Sequence, residues 1–219
     1  MELNLLMIDD HAAIIEGYKA ILSLSKKKYV LKITTAFDCE SAYKVITQHH
    51  DIAFDVVFVD ITLPPYAEKK LHSGVDLVAL IRAHMPQTKI IVLTSHTEKI
   101  VIDQIVEKGN PEGIMLKSDV NSEDFLNAFA LILNGENYFS ETVLKYLIKA
   151  PAEVKKLDSY NQQIIILLSK GLKTKTIQEQ LCLSKSAVDK RKVAIKHFFG
   201  IEKGNDEDIL REARKQGLI

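Results

Sequence analysis

The sequence predicts an α/β protein: a doubly wound parallel sheet with (βα)5 alternation, followed by a small all-α domain. Three observations point there. Short Val- and Ile-rich runs alternate with stretches of helical spacing over residues 1–135. The alternation stops over residues 136–156. From residue 157 every segment has helical periodicity.

The apolar runs are LNLLMI (3–8), VLKITTAF (30–37), DVVFVDI (55–61), KIIVLTS (89–95) and GIMLK (113–117). They are nearly continuous, as strands buried on both faces of a parallel sheet are. Between them, AAIIEGYKAILSL (12–24), CESAYKVITQH (39–49), GVDLVALIRAH (74–84), TEKIVIDQIVEKG (97–109) and SEDFLNAFALILNG (122–135) place apolar residues on one helical face. Asp38 and Thr97 stand where N-caps belong, and Gly109 and Gly135 where helices end. Residues 136–156, ENYFSETVLKYLIKAPAEVKK, contain Pro151 and read as a linker, with helical spacing in SETVLKYLIK. After it come LDSYNQQIIILLSKG, TKTIQEQLC, KSAVDKRKVAIKHFFG and NDEDILREARKQG, four helices separated at Gly171, Leu183-Ser184 and Gly200. The expected organisation is therefore domain 1–135, linker 136–156 and domain 157–219.

Charge divides the same way. The chain has 219 residues, with Lys+Arg and Asp+Glu equal at 29 each. Residues 1–151 carry a net charge of −5 and residues 152–219 a net of +5. A basic second part suggests a polyanionic partner. Cys39 and Cys182 are far apart and form no metal or redox spacing, so both read as buried reduced thiols. The segment MELNLLMIDD lacks the basic start and apolar core of a signal peptide, and no apolar run reaches the ~18 residues of a membrane span. A cytoplasmic protein is expected.

In a doubly wound sheet, ligands bind at the carboxyl ends of the strands, where strand order reverses. Strand 1 ends on Asp9-Asp10, strand 3 on Asp60, strand 4 on Thr94-Ser95 and strand 5 on Lys117. Singly, each is an ordinary strand-end residue. Together, the carboxylates suit a hard cation such as Mg²⁺, which relieves the repulsion between Asp9 and Asp10. One further carboxylate can attack a phosphoryl group, and lysine and metal neutralise the charge that develops.

The segments IDDH, FVDITLP, VLTS and GIMLK resemble the signature segments of two-component response-regulator receiver domains, over residues 3 to about 135. The resemblance implies that Asp60 accepts a phosphoryl group from a sensor histidine kinase. It implies that Asp9, Asp10 and Asp60, with the Ile61 carbonyl, hold Mg²⁺, that Lys117 contacts the phosphate and that Thr94 is the switch hydroxyl. Three departures stand out. Ile114 occupies a position that is usually aromatic, so coupling to Thr94 must differ or rely on shape. The loop after Asp60, LPPYAEKKLHSG, is several residues longer than usual and reads as a surface insertion beside the site. The resemblance implies that Thr62, two residues after Asp60, stands near the phosphoryl group, where its identity bears on the hydrolysis rate. His11 reads as a polar residue at a helix start, without acid–base duty.

The basic region adds a second resemblance. LCLSKSAV followed by a basic helix resembles a helix-turn-helix with Ser184 as N-cap. Lys190 and Arg191 are then candidates for base edges, with Ser186 and Lys192 on the same polar side, and Lys173, Lys175 and Lys185 for phosphates. The four helices resemble the LuxR-type DNA-binding domain, through Gly171, Ile177, Leu181, Leu183-Ser184, Val188, Ile195 and the terminal GLI. The match is looser here: LDSYNQ lacks the usual glutamate, Arg191 replaces a common histidine and Asp189 stands where an acid is infrequent. The whole chain thus resembles the NarL/FixJ class. That implies a regulator of transcription rather than an enzyme, phosphorylated on Asp60, binding double-stranded promoter DNA as a homodimer when active, with no membrane role. The other readings are an atypical receiver acting through protein contacts, with little specific DNA binding, and a Mg²⁺-dependent phosphotransfer enzyme. The enzyme would need an additional acid/base residue near Asp60, and the motifs supply none.

Overall fold

The computed structural model describes residues 2–24, 29–48, 53–148 and 157–219. Contacts divide the chain into two compact units, residues 1–96 with 105–148, and residues 97–104 with 149–219. Pro151 and the rest of 149–156 in the expected linker lie outside the described residues.

The alternation expected from the sequence is present. Along the chain run β1 (Glu2–Ile8), α1 (Ala12–Leu24), β2 (Val30–Ala36), α2 (Cys39–Gln48), β3 (Val56–Asp60), α3 (Gly74–His84), β4 (Lys89–Thr94), α4 (Lys99–Gly109), β5 (Gly113–Leu116) and α5 (Ser122–Leu133). All strand pairs are parallel, in the order β2-β1-β3-β4-β5-β6. The chain leaves β1 for one side of the sheet and returns at β3 on the other. The crevice therefore opens at the carboxyl ends of β1 and β3. Helices cover both faces, so every residue of β3 and β5 is buried. Phe58 of β3 packs its ring against Phe125 and Phe129 of α5, with centroids 5.4 and 6.0 Å away, which anchors the middle of the sheet.

Two local expectations change. Asp38 does cap α2, accepting from the Ser41 N–H at 2.6 Å, but α4 starts at Lys99, two residues beyond Thr97. The sheet also continues past residue 135. Gly135, at φ 91°, turns the chain back, and β6 (Tyr138–Phe139) pairs with Gly113 and Ile114 of β5. Ser140 then donates its N–H to the Ile114 carbonyl and accepts from Leu116 N–H through Oγ. This fastens α6 (Glu141–Ile148) to β5. A two-residue strand is too short to show alternation, which is why the sequence reads as linker there. It also explains Ile114: β5 is an interior strand and the side chain is wholly buried.

The second unit contains α7 (Ser159–Ser169), α8 (Thr174–Leu181), α9 (Lys185–Phe198) and α10 (Asp206–Lys215). Ile164, Ile177, Val188, Ile195 and Ile209 are fully buried at its centre. Gly171 and Gly200 adopt φ 76° and 70° at the expected breaks. Cys182 ends α8 in the left-handed region at φ 52°, and Leu183 N–H bonds back to the Gln178 carbonyl. Ser184 then caps α9 by accepting from Ala187 N–H. A tight turn between α8 and α9 results. No described helix is long and apolar enough to cross a membrane.

Candidate functional site

Register brings the acids together. Ile8 pairs with Val59 and Asp60 with Leu93, so Asp9 emerges beside Asp60 while Thr94 follows on the next strand. Thr94 in turn pairs with Leu116, which sets Lys117 at the same rim. Asp9 and Asp60 are each only 4 % exposed, and Thr94 is fully buried. The Lys117 ammonium bridges them, 2.8 Å from Asp9 Oδ2 and 2.9 Å from Asp60 Oδ2. Asp60 Oδ1 accepts from the backbone N–H of Ile61 at 2.7 Å and, more weakly, of Thr62 at 3.4 Å. One Asp60 oxygen is therefore held by backbone and the other by a movable ammonium.

Burial outweighs these donors and pushes the Asp60 carboxyl up from its ordinary range; Lys117 opposes the shift and Asp9 adds to it. Lys117 is raised by its two carboxylate partners, against desolvation, the largest single influence on it. Asp9, Asp10 and Asp60 outnumber Lys117 by two negative charges, which leaves room for a divalent cation. Asp9, Asp10 and His11 offer ligand atoms within 4.8 Å of one another. The carboxylates of that group, Asp9 and Asp10, are oxygen ligands of the kind that suits Mg²⁺, and Asp60 shares the Lys117 ammonium with Asp9.

One expected ligand has another partner. The Ile61 carbonyl already accepts from Gly74 N–H at 3.0 Å. The contact is tight: a Cβ on Gly74 would lie 1.9 Å from the Asp60 carbonyl oxygen, so only glycine lets α3 begin here. That engagement occupies one of the two lone pairs of the carbonyl expected to face the metal. The neighbouring Thr62 carbonyl accepts no backbone hydrogen bond among the described residues. His11 behaves as a helix-start residue. Its carbonyl accepts from Ile14 and Ile15, its N–H donates to Asp9 Oδ1, and its exposed ring pairs with Asp10 at 2.7 Å.

The long loop after Asp60 is a packed element. Leu63 and Leu71 are buried, Tyr66 and Leu71 form an antiparallel bridge, and Cys39 N–H donates to the Pro64 carbonyl. The Tyr66 ring meets Tyr43 edge-on at 5.8 Å, and Lys69 lies over Tyr43. The loop is thus clamped onto α2 beside the site.

Two residues escaped the sequence reading. His96 donates its backbone N–H to Thr94 Oγ1 at 3.0 Å, and its Nε2 lies 3.2 Å from Thr62 Oγ1. It closes the rim between β3 and β4; the tetrapeptide LTSH was the available signal. Tyr18 of α1 stacks on Phe125 at 4.7 Å, and burial raises its phenol while Lys117 opposes the shift. Only the helix face of Tyr18 could have marked it.

In the second unit the first turns of α9 present Lys185, Ser186, Asp189 and Lys190 to solvent, with Lys173 and Lys175 exposed at the start of α8. Lys173, Lys175, Lys185 and Lys190 make no ion pair with a described residue. Two expected DNA contacts are otherwise engaged. Lys192 is 7 % exposed and its ammonium lies 2.6 Å from Asp206 and 2.8 Å from Thr174 Oγ1. Helical periodicity turns position 192 inward, and Asp206 meets it there. Arg191 pairs with Asp158 at 2.8 Å, bonds Asn161 and covers the Tyr160 ring at 4.6 Å. It joins α9 to α7, so reaching a base would require leaving that pair.

Comparison with known proteins agrees with this geometry. The family model "Response regulator receiver domain" matches residues 5–128. The transcriptional regulatory protein MctR of Rhizobium johnstonii is 26% identical over 220 residues, covering 100% of this chain and 96% of that protein. The oxygen regulatory protein NreC of Staphylococcus haemolyticus is 26% identical over 205 residues, covering 88% and 89%. The structure of RcsB from Salmonella enterica serovar Typhimurium, bound to promoter rprA with the phosphomimetic BeF3−, superposes with a TM-score of 0.68 at 21% identity, covering 97% of this chain and 98% of that one.

Proposed function

Because the chain belongs to the response regulator receiver domain family, we propose that it is a two-component response regulator of the NarL/FixJ class, phosphorylated on Asp60 by a sensor histidine kinase and regulating transcription by binding promoter DNA. One observation carries the reading: Asp9, Asp60 and Lys117, from three different strand ends, meet in a single ion-paired cluster. The low-identity relatives and structural neighbours support it through their regulatory names and, for RcsB, a promoter complex. The domains it assigns are a phosphoacceptor unit, an intervening segment and a DNA-binding unit from about residue 157. It is a cytoplasmic protein, it pairs as a homodimer when active, and it accepts phosphate rather than turning over a substrate.

Asp60 acts as the nucleophile. Its carboxylate oxygen forms a bond to phosphorus as the phosphorus–nitrogen bond of the kinase phosphohistidine breaks, and the departing imidazole takes a proton from water. Asp9, Asp10 and Asp60, with the Ile61 carbonyl, would hold Mg²⁺; when bound, the ion offsets negative charge on the phosphoryl oxygens. Lys117 starts on Asp60 Oδ2 and is positioned to follow the charge onto those oxygens. Thr94, on the strand next to Asp60, supplies a hydroxyl to the new acyl phosphate, which draws it away from the His96 N–H it now accepts. In the second unit, the unpaired Lys173, Lys175 and Lys185 contact phosphates, and Ser186 and Lys190 face the major groove.

Incubation of the full chain with Mg²⁺ and acetyl phosphate tests the first half. It should add one phosphoryl group to the wild type and none to Asp60→Ala.

A further inference from the structure

Two exposed residues on α9 remain unexplained by packing. Val193 is 64 % exposed, although the other aliphatic residues with branched side chains on this helix, Val188 and Ile195, are fully buried. Asp189, one turn earlier, is exposed and makes no hydrogen bond or ion pair with any described residue. Both stand on the face that carries Ser186 and Lys190. A free carboxylate there is repelled by phosphates, and a bare alkyl group gains nothing from them.

Resting on the DNA-binding reading above, we infer that α9 reads an operator through Asp189 and Val193: Asp189 accepts a hydrogen bond from a cytosine amino group and Val193 packs on a thymine methyl. The major groove offers few partners for these groups. The thymine methyl is its one alkyl surface, and an acceptor-only side chain is satisfied by a cytosine N4 amino group. Adenine also offers an amino group, but it sets the N7 acceptor beside it, which repels a carboxylate. Four residues of helix rise about 6 Å, and base pairs stack about 3.4 Å apart. The cytosine and thymine therefore stand about two base pairs apart in each half-site.

The test selects duplexes from a random library with the full, phosphodonor-treated chain, then remakes the tightest duplex with deoxyuridine replacing each thymine in turn. Deoxyuridine removes only the methyl. At one position it should weaken wild-type binding about fourfold, the factor for one buried methyl-sized group, and leave Val193→Ala unaffected. Asp189→Asn should shift preference about two base pairs away from cytosine towards adenine, which asparagine bonds through N6 and N7. Binding that depends steeply on salt, yet ignores every deoxyuridine and keeps its cytosine preference in Asp189→Asn, overturns this inference alone. Failure to select any duplex overturns the DNA-binding reading and the inference with it.

Discussion

The Lys117 ammonium lies 2.9 Å from Asp60 Oδ2 while also holding Asp9 at 2.8 Å. Two buried carboxylates therefore share one cation, and its removal leaves both uncompensated. Lys117→Ala should destabilise the first unit by about 3 kcal/mol at neutral pH, seen as a lower urea midpoint. Burial holds the Asp60 carboxyl above its ordinary value. Ionising it thus costs the folded chain more than the unfolded chain. The deficit of Lys117→Ala should be small below about pH 4, the ordinary aspartate range, and should grow as pH rises through the folded value. Adding Asp60→Asn should recover part of it. A midpoint unchanged at neutral pH would show that the bridge contributes nothing.

Thr94 separates phosphorylation from response. Its hydroxyl is wholly buried and accepts the His96 N–H in the resting chain. Thr94→Ala should still be phosphorylated, at a rate within about tenfold of wild type, but should gain little DNA affinity on phosphorylation. Phosphoprotein gels beside a DNA titration check it. A full affinity gain in the variant would remove Thr94 from the switch.

Lys190 and Lys192 are two residues apart and have different fates. Lys192→Ala takes a buried side chain away from Thr174 and from a largely solvated Asp206, and should cost about 1 to 2 kcal/mol of the second unit's stability. Lys190→Ala should leave stability within about 0.5 kcal/mol, weaken DNA binding and reduce the salt dependence by about one ion. Arg191→Ala should cost about 1 kcal/mol, since its guanidinium joins α9 to an exposed Asp158 and to the Tyr160 ring. Thermal melts and salt titrations of the variants distinguish the two patterns. The reverse pattern would show that Lys192 reaches DNA.

The cysteines should also differ. Cys39 is fully buried, and desolvation pushes its thiol up to about 12, so little thiolate forms at neutral pH. Cys182, read from the sequence as buried, is instead exposed, because it ends α8 at the turn before α9. Alkylation at pH 8, followed by mass spectrometry, should modify Cys182 quickly and Cys39 only after denaturation. Prompt modification of Cys39 would show that the loop carrying Pro64 opens freely.

The acidic rim was legible because its chemistry sits at strand ends, and strand ends are what apolar runs mark best. Asp9, Asp60, Thr94 and Lys117 could therefore be placed before the fold was seen. Position in a charge pattern was a weaker guide. Lys192 looks like Lys190 until Asp206 folds back onto it from 14 residues downstream. The Ile61 carbonyl is engaged by the Gly74 N–H, a close backbone approach that no side-chain pattern records. Tyr138 and Phe139 form a strand too short to show a period, and the loop after Asp60 gains its order from Tyr43 and Cys39 on another element.

Phosphorylation of Asp60, coupled to DNA binding, is tested most directly in one titration. The full chain is mixed with Mg²⁺ and acetyl phosphate, its mass and its affinity for a library-selected duplex are read together, and Asp60→Ala is run beside it. Wild type should gain one phosphoryl group and bind more tightly as it does so, while Asp60→Ala gains neither. Phosphorylation that persists in Asp60→Ala, or duplex affinity indifferent to the phosphoryl group, would contradict the mechanism.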